Sequence, residues 1–150
     1  MKFGDLQIGD ISRFLAVKLA SPKSKYHVAV APSSFFYINT SAVWPGSYPI
    51  LKEEYPFLDH DSFIGCGQLV EYEEGNTIRE HAHVMRLLGK TVKGLLVHLN
   101  RDVKTLSQAL YRKVARHLKI LLRTIYRASL FPSQDLACIL DILNGDNIIQ

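Results

Sequence analysis

Residues 26–40 read YHVAVAPSSFFYINT, and this stretch decides the fold. Apolar residues alternate around Val28 and Val30, and an aromatic and β-branched run begins at Phe35. Turn-forming residues, PSS, stand between the two runs. Two such runs separated by a short turn-forming segment predict two consecutive β-strands.

Similar runs lie on both sides of this pair. Residues 10–19, DISRFLAVKL, predict one strand, and residues 62–72, SFIGCGQLVEY, predict one or two more. The segments between them, SPKSK and WPGSYP, are rich in turn formers. About five strands in the first 70 residues, with no helical pattern between them, favour a small closed or nearly closed β-barrel.

The hydrophobic period changes to that of a helix at Asn76. The helical pattern is broken near Gly89 and near Asn100, and it is best formed from Val103 to Leu130. A last helix is predicted over residues 133–143, SQDLACILDIL, where Ser133 can cap the helix.

The two halves of the chain differ in charge. Residues 1–75 contain six Lys and Arg against nine Asp and Glu, a net charge of −3, whereas residues 76–150 contain twelve against five, a net charge of +7. The predicted fold class is therefore α+β, with a β-barrel in residues 1–75 and a basic helical region in residues 76–150 that packs on it as one compact body.

The basic charge follows one side of the best-formed helix. At 100° per residue, one sector of about 80° is apolar, and basic residues occupy the opposite sector. The apolar residues are Leu110, Val114, Leu118, Leu121 and Ile125, and the basic ones are Arg112, Arg116, Lys119, Arg123 and Arg127. Like charges at i,i+4 repel, so this stripe predicts an anionic partner as the alternative to an ordinary solvated face. Arginine favours a nucleic-acid backbone or an acidic protein over an anionic membrane.

Composition excludes several classes of protein. The chain has 150 residues, of which 47% are hydrophobic and 21% charged, and it contains no uninterrupted apolar run of about 18 residues. No membrane association is therefore expected. The opening residues lack the apolar core of a signal peptide, so a cytoplasmic location is expected. Cys66 and Cys138 form no CxxC pair, so both are expected to be buried thiols.

Residues 59–62, DHDS, are the densest group of candidate catalytic or metal-binding side chains. On an extended segment Asp59 and Asp61 share a face that His60 does not, and no HxxxH or HExxH pair supplies further ligands. Asp and Ser before an aromatic strand are common turn formers. A turn is therefore predicted here, with no metal site and no cofactor.

Four segments of the chain, taken in order, resemble the MazF/PemK-like toxins. They are GDI (9–11), SPKSKYHVAVAP (21–32), INTSA (38–42) and LDHDSFIGCGQLVEY (58–72). The resemblance covers residues 7–72 and implies an SH3-like β-barrel, in which Ser62 and Gln68 mark the final strand. It also implies metal-independent cleavage of RNA, with the 2′-hydroxyl as internal nucleophile.

The residues that match the family's catalytic arginine and threonine are Lys25 and Thr40. Lysine stabilises phosphorane-like charge but lacks the bidentate fork of arginine, and Tyr26 stands where the family has proline. His27 and His60 are the candidates to supply the missing acid and base, because histidine titrates near neutrality.

Two functions follow as expectations. The first is a toxin-like, RNA-directed endoribonuclease that binds RNA near Lys25 and Thr40 and along the basic helix. The alternative is a non-catalytic module that binds nucleic acid or an acidic, antitoxin-like protein through that helix. The helical half is longer than the family's terminal helix, and a homodimer interface is one use for it. The spacing of Arg112 and His117 also matches the Arg-x4-His motif of HEPN-type ribonucleases.

Overall fold

The computed structural model describes residues 1–42, 45–101 and 106–128. In this part of the chain a short 3-10 helix (Phe3–Asp5) precedes seven strands and two α-helices, which confirms the predicted α+β class. The elements are β1 (Asp10–Ala16), β2 (Lys23–Ala31), β3 (Ser34–Asn39), β4 (Ser47–Ile50), β5 (Ser62–Gly65), β6 (Val70–Glu71), β7 (Ala82–Arg86), α1 (Gly89–Arg101) and α2 (Gln108–Ala128). The helix predicted over residues 133–143, with Ser133 and Cys138, lies outside the described residues.

The strands form one antiparallel sheet in the order β4-β5-β3-β2-β1-β7, and β6 pairs with β3 next to β5. Hairpin β2–β3 has the predicted position, with His27 opposite Tyr37 and Val28 opposite Phe36. Among the described residues β4 and β7 lie at opposite ends of the order and do not pair, so the sheet is open. The sequence predicted a closed or nearly closed barrel, and the apolar face is instead covered by helices.

Two strands were not predicted. Strand β4 lies within the Pro/Gly-rich segment that was interpreted as a turn, and β7 lies where a helix was predicted from Asn76. Strand β7 forms because β1 offers it an open edge, on which Asp10 pairs with Arg86 and Arg13 with Ala82. An unpaired edge exposes backbone donors and acceptors, and satisfying them outweighs a weak local helical preference. The first helix therefore begins at Gly89.

Both helices pack on the sheet in a single hydrophobic core. Its completely buried side chains include Ile11, Val28, Phe36 and Ile64 from strands and Leu95, Leu118 and Leu122 from helices. The sheet, through β7, continues past residue 75, where the sequence analysis divided the chain. No helix among the described residues is long and apolar enough to cross a membrane.

A smaller aromatic cluster packs on the other side of the sheet. It contains Phe3, Phe14 and Phe35, with Ile78 buried and Tyr72 half-buried beside them. Phe3 and Tyr72 stack with ring centroids 4.2 Å apart. The N-terminal 3-10 helix is thereby joined to residues 72–78.

Gly9, in the GDI segment, has a backbone conformation that requires glycine. Its φ is +93°, and a Cβ atom would lie 2.7 Å from Cδ2 of Leu121. Its N–H donates to the carbonyl of Ala29 at 2.7 Å, and its own carbonyl accepts from the N–H of Leu87 at 2.8 Å. Gly9 thus lets the chain before β1 pass close under α2 while bonding to β2 and to the residue after β7.

Candidate functional site

An open groove of about 420 Å³ lies between the end of the β2–β3 hairpin and the turn that joins β5 to β6. Its lining includes Lys25, Tyr37, Asn39, Pro45, Gly67 and Gln68. We call it the Lys25 groove. Lys25 was predicted as a site residue and Gln68 as a structural marker, and the structure brings both to this groove.

Lys25 is held in place by two neighbours. Its Nζ donates to Oδ1 of Asn39 at 2.7 Å and lies 4.8 Å from the centroid of the Tyr37 ring. Its side chain is half-buried, and this burial is the main reason that the pKa of its amine is lowered. The nearby charge of Lys23 lowers it further. Two of the three Nζ protons remain for a ligand, so the groove offers an oriented cation to an anionic group.

His27, two residues after Lys25 on β2, has no exposed surface. Its ring stacks on Phe14, with centroids 3.6 Å apart. Nδ1 faces the backbone carbonyl of Lys25 at 2.9 Å, and a carbonyl only accepts, so Nδ1 carries the proton. Nε2 then accepts from the hydroxyl of Tyr72 at 3.4 Å. A substrate in solution does not reach His27 in this conformation.

Burial lowers the pKa of His27 to about 4, although its hydrogen bond to Lys25 opposes the shift. The ring is therefore uncharged at neutral pH. Burial likewise raises the pKa values of Tyr72 and Tyr37. The uncharged His27 is hydrogen-bonded to both Tyr72 and the Lys25 carbonyl, and these bonds fix the backbone from which the Lys25 side chain extends.

The buried histidine predicts an acid-sensitive fold. The unfolded-state pKa is about 6.5, so above that pH both states are uncharged and the full stability is present. Between pH 6.5 and 4 only the unfolded state gains the proton, and we expect a loss of about 1.4 kcal/mol per pH unit, about 3 kcal/mol in all. Urea unfolding at pH 8 and pH 4.5 measures it.

The variant His27→Phe isolates this contribution from that of the carboxylates. It keeps an aromatic ring against Phe14 but cannot take up a proton, so its stability should fall less between the two pH values than that of the wild type. His60→Gln is the matched control, because His60 is exposed. Equal pH dependence in wild type and His27→Phe would contradict the prediction.

Thr40 and His60 lie outside the lining of the Lys25 groove. Thr40 is exposed and directly follows Asn39, the last residue of β3. His60 is exposed in the loop before β5, and its Nδ1 donates to the carbonyl of Asp61 at 3.2 Å. The four predicted catalytic residues are therefore not gathered around one point.

The DHDS segment has the contacts of a turn. Ser62 Oγ donates to the carbonyl of His60 at 2.9 Å, and Asp61 Oδ1 accepts from the backbone N–H of Lys52 at 2.9 Å. These bonds hold the loop after β4 against the start of β5. Within the described residues no group of three His, Cys, Asp or Glu side chains is placed to hold a metal ion.

The predicted basic stripe on α2 is divided by the fold. Lys119 is only 6% exposed. Burial is the main reason that the pKa of its amine is lowered, and the charge of Arg123 lowers it further. Arg112 is half-buried. Three arginines remain on the solvent side, Arg116, Arg123 and Arg127. Their spacing places them within about 40° of one another along about 17 Å of helix.

Sequence reasoning missed Tyr37 and Asn39 as groove residues. Alternation along β3 places both on one face of the sheet, where Tyr37 lies opposite His27 and Asn39 bonds to Lys25. The alternation along β3 is visible in the sequence, but it identifies Tyr37 and Asn39 as groove residues only once the pairing register of the hairpin is known. His117, the second member of the Arg-x4-His spacing, donates from Nδ1 to the carbonyl of Lys113 at 2.8 Å, one turn earlier in α2.

Comparisons with protein-family models, with curated proteins and with solved structures found no match. The resemblance to MazF/PemK-like toxins and their SH3-like barrel stays a prediction.

Proposed function

We propose that this protein binds single-stranded RNA in the Lys25 groove and cleaves it without a metal ion, as the MazF/PemK resemblance implies. The observation that supports the proposal is the position of Lys25: it is oriented by Asn39 and Tyr37 at the wall of an open groove. Lys25 is also the residue that matches the family's catalytic arginine.

The chemistry requires the 2′-hydroxyl of one nucleotide to attack its own 3′-phosphorus. The bond from phosphorus to the 5′-oxygen of the next nucleotide breaks. Water takes the proton of the 2′-hydroxyl, and the departing 5′-oxygen takes a proton from water, so the products are a 2′,3′-cyclic phosphate and a 5′-hydroxyl. Negative charge grows on the non-bridging oxygens during this step, and the Lys25 ammonium stabilises it. Partial burial makes this interaction stronger than it would be in water.

The proposal gives the other predicted residues different roles. Thr40, which is exposed and directly follows Asn39 in the chain, supplies the hydroxyl that contacts the phosphate, as the resemblance implies. His27 is a positioning residue, because it bonds to the Lys25 backbone and has no exposed surface. His60 takes part only if the loop before β5 closes over bound RNA.

The test is incubation with a mixed-sequence RNA and with the DNA of the same sequence, both with EDTA. Scission of RNA alone, with new 5′-hydroxyl ends that a polynucleotide kinase can label directly, is the expected result. DNA lacks the 2′-hydroxyl and should remain intact. If the RNA also remains intact, or carries 5′-phosphate ends, the proposed chemistry is wrong.

A second candidate function is a non-catalytic module that binds RNA or an acidic protein through α2. Arg116, Arg123 and Arg127 favour it, because they form a row of exposed cations that bond to no other described residue. We expect Arg116→Glu/Arg123→Glu to weaken RNA retention at low salt by at least tenfold, because two phosphate contacts become repulsive. The control is Lys2→Glu/Arg79→Glu, which makes the same charge change at two exposed sites. Equal retention by the two double variants would exclude the α2 surface.

A further inference from the structure

A second groove, of about 520 Å³, lies along α1. Its lining includes Tyr48, Lys90, Lys93, Val97, His98 and Arg101. We call it the α1 groove. Among the described residues, its lining contains three cations and no carboxylate.

The cations of the α1 groove are not all engaged within the protein. Lys90 pairs with Glu54. Lys93 and Arg101 are exposed and form no hydrogen bond or ion pair with any residue in the described ranges. Positive charge left unneutralised in a concave surface attracts an anion, and the charge of Glu54 offsets only one of the three cations.

The wall of the α1 groove is built to bring an aromatic ring against the helix. A Cβ atom at Gly94 would lie 2.8 Å from Cζ of Tyr48, so only glycine allows this approach. The Tyr48 ring lies 5.4 Å from the ring of His98, at an angle of 58°. An aromatic ring next to cations is the combination with which proteins bind single-stranded nucleic acid.

The α1 groove and the Lys25 groove share one segment of chain. His98 Nε2 donates to the carbonyl of Gly46 at 3.0 Å. On its other side Gly46 approaches Gly67 so closely that a Cβ atom would lie 3.0 Å from the Gly67 nitrogen. Pro45 and Gly67 line the Lys25 groove, whereas Tyr48 and His98 line the α1 groove. The two grooves therefore lie on either side of Gly46.

We propose that the two grooves form one RNA-binding surface, in which the α1 groove takes the phosphates of the strand that leaves the Lys25 groove past Gly46. This inference rests on the proposed function. Lys93 and Arg101 bind phosphates on successive parts of the strand, and Tyr48 stacks on a base between them. The α1 groove thus favours longer RNA strands, because a strand short enough to stay within the Lys25 groove does not reach it.

The test uses a 12-nucleotide RNA that is 2′-O-methylated throughout, which cannot be cleaved through the 2′-hydroxyl. Affinity is measured at several salt concentrations for the wild type and for Lys93→Ala/Arg101→Ala. Loss of two phosphate contacts should weaken binding about tenfold at low salt and make the slope of log K against log salt shallower by about 1.4. The control, Lys2→Ala/Arg79→Ala, removes one Lys and one Arg that line neither groove and should match the wild type.

An unchanged slope in Lys93→Ala/Arg101→Ala would overturn the inference. So would a variant that loses affinity for a poly-glutamate of matched charge but not for the RNA, because the groove would then be a protein-binding surface. Failure of the proposed cleavage would give a different result. Unmodified RNA would stay intact with EDTA, while the 12-nucleotide probe would still bind the wild type more tightly than Lys93→Ala/Arg101→Ala.

Discussion

Lys25→Ala is expected to reduce the rate of RNA cleavage with EDTA by about 100- to 1000-fold while leaving the fold intact. The magnitude is that of removing one oriented donor to developing oxyanion charge. Stability should change little, because the side chain is only half-buried and makes a single hydrogen bond within the described residues, to the half-buried Asn39. Single-turnover cleavage and urea unfolding of the same preparation measure the two quantities.

Three further variants make this prediction specific. Lys23→Ala is the matched control, since it removes the same charge two residues earlier on the same strand but outside the groove lining. Lys25→Arg should recover much of the rate, because guanidinium supplies the charge and a bidentate fork. Thr40→Ala should lower the rate as the resemblance implies. If Lys25→Ala and Thr40→Ala both cut RNA like the wild type, the site assignment is wrong.

Tyr55→Phe is expected to lower the free energy of unfolding by about 2 kcal/mol, and Tyr55→Ala by about 4 kcal/mol. Tyr55 has no exposed surface. Its hydroxyl lies 2.5 Å from Oγ1 of Thr91 and accepts from the N–H of Leu88 at 3.1 Å. Phenylalanine would leave the buried Thr91 and the half-buried Leu88 without their hydrogen bonds to this hydroxyl, and alanine would also leave a cavity.

These contacts join the loop after β4 to the start of α1, so Tyr55 sets where α1 lies on the sheet. Urea unfolding monitored by circular dichroism measures the effect. Tyr26→Phe is the control, because its half-buried ring packs on Phe57 while its hydroxyl bonds to no described residue, and it should change stability by less than about 0.5 kcal/mol. A Tyr55→Phe variant as stable as Tyr26→Phe would show that the Tyr55 hydroxyl contributes nothing.

The sequence alone determined the parts of the fold that are set by local periodicity. The β2–β3 hairpin follows from two apolar runs separated by PSS, and α2 follows from apolar residues at helical spacing that bury Val114 and Leu118 in the core. The turn at DHDS was also predictable, because Asp and Ser bond to nearby backbone groups whatever lies beyond them.

Tertiary structure decided what depends on distant partners. Residues 82–86 became a strand because β1 left an edge unpaired, which no local pattern in them reveals. His27 is inaccessible to solvent, and Lys119 is not part of an exposed stripe, because neighbouring residues in the fold cover both side chains. The α1 groove exists only because Gly94 admits Tyr48 from a strand 46 residues earlier in the chain. Periodicity determines which face of an element is apolar, but burial of a charged or polar group depends on the neighbour that covers it, and the fold supplies that neighbour.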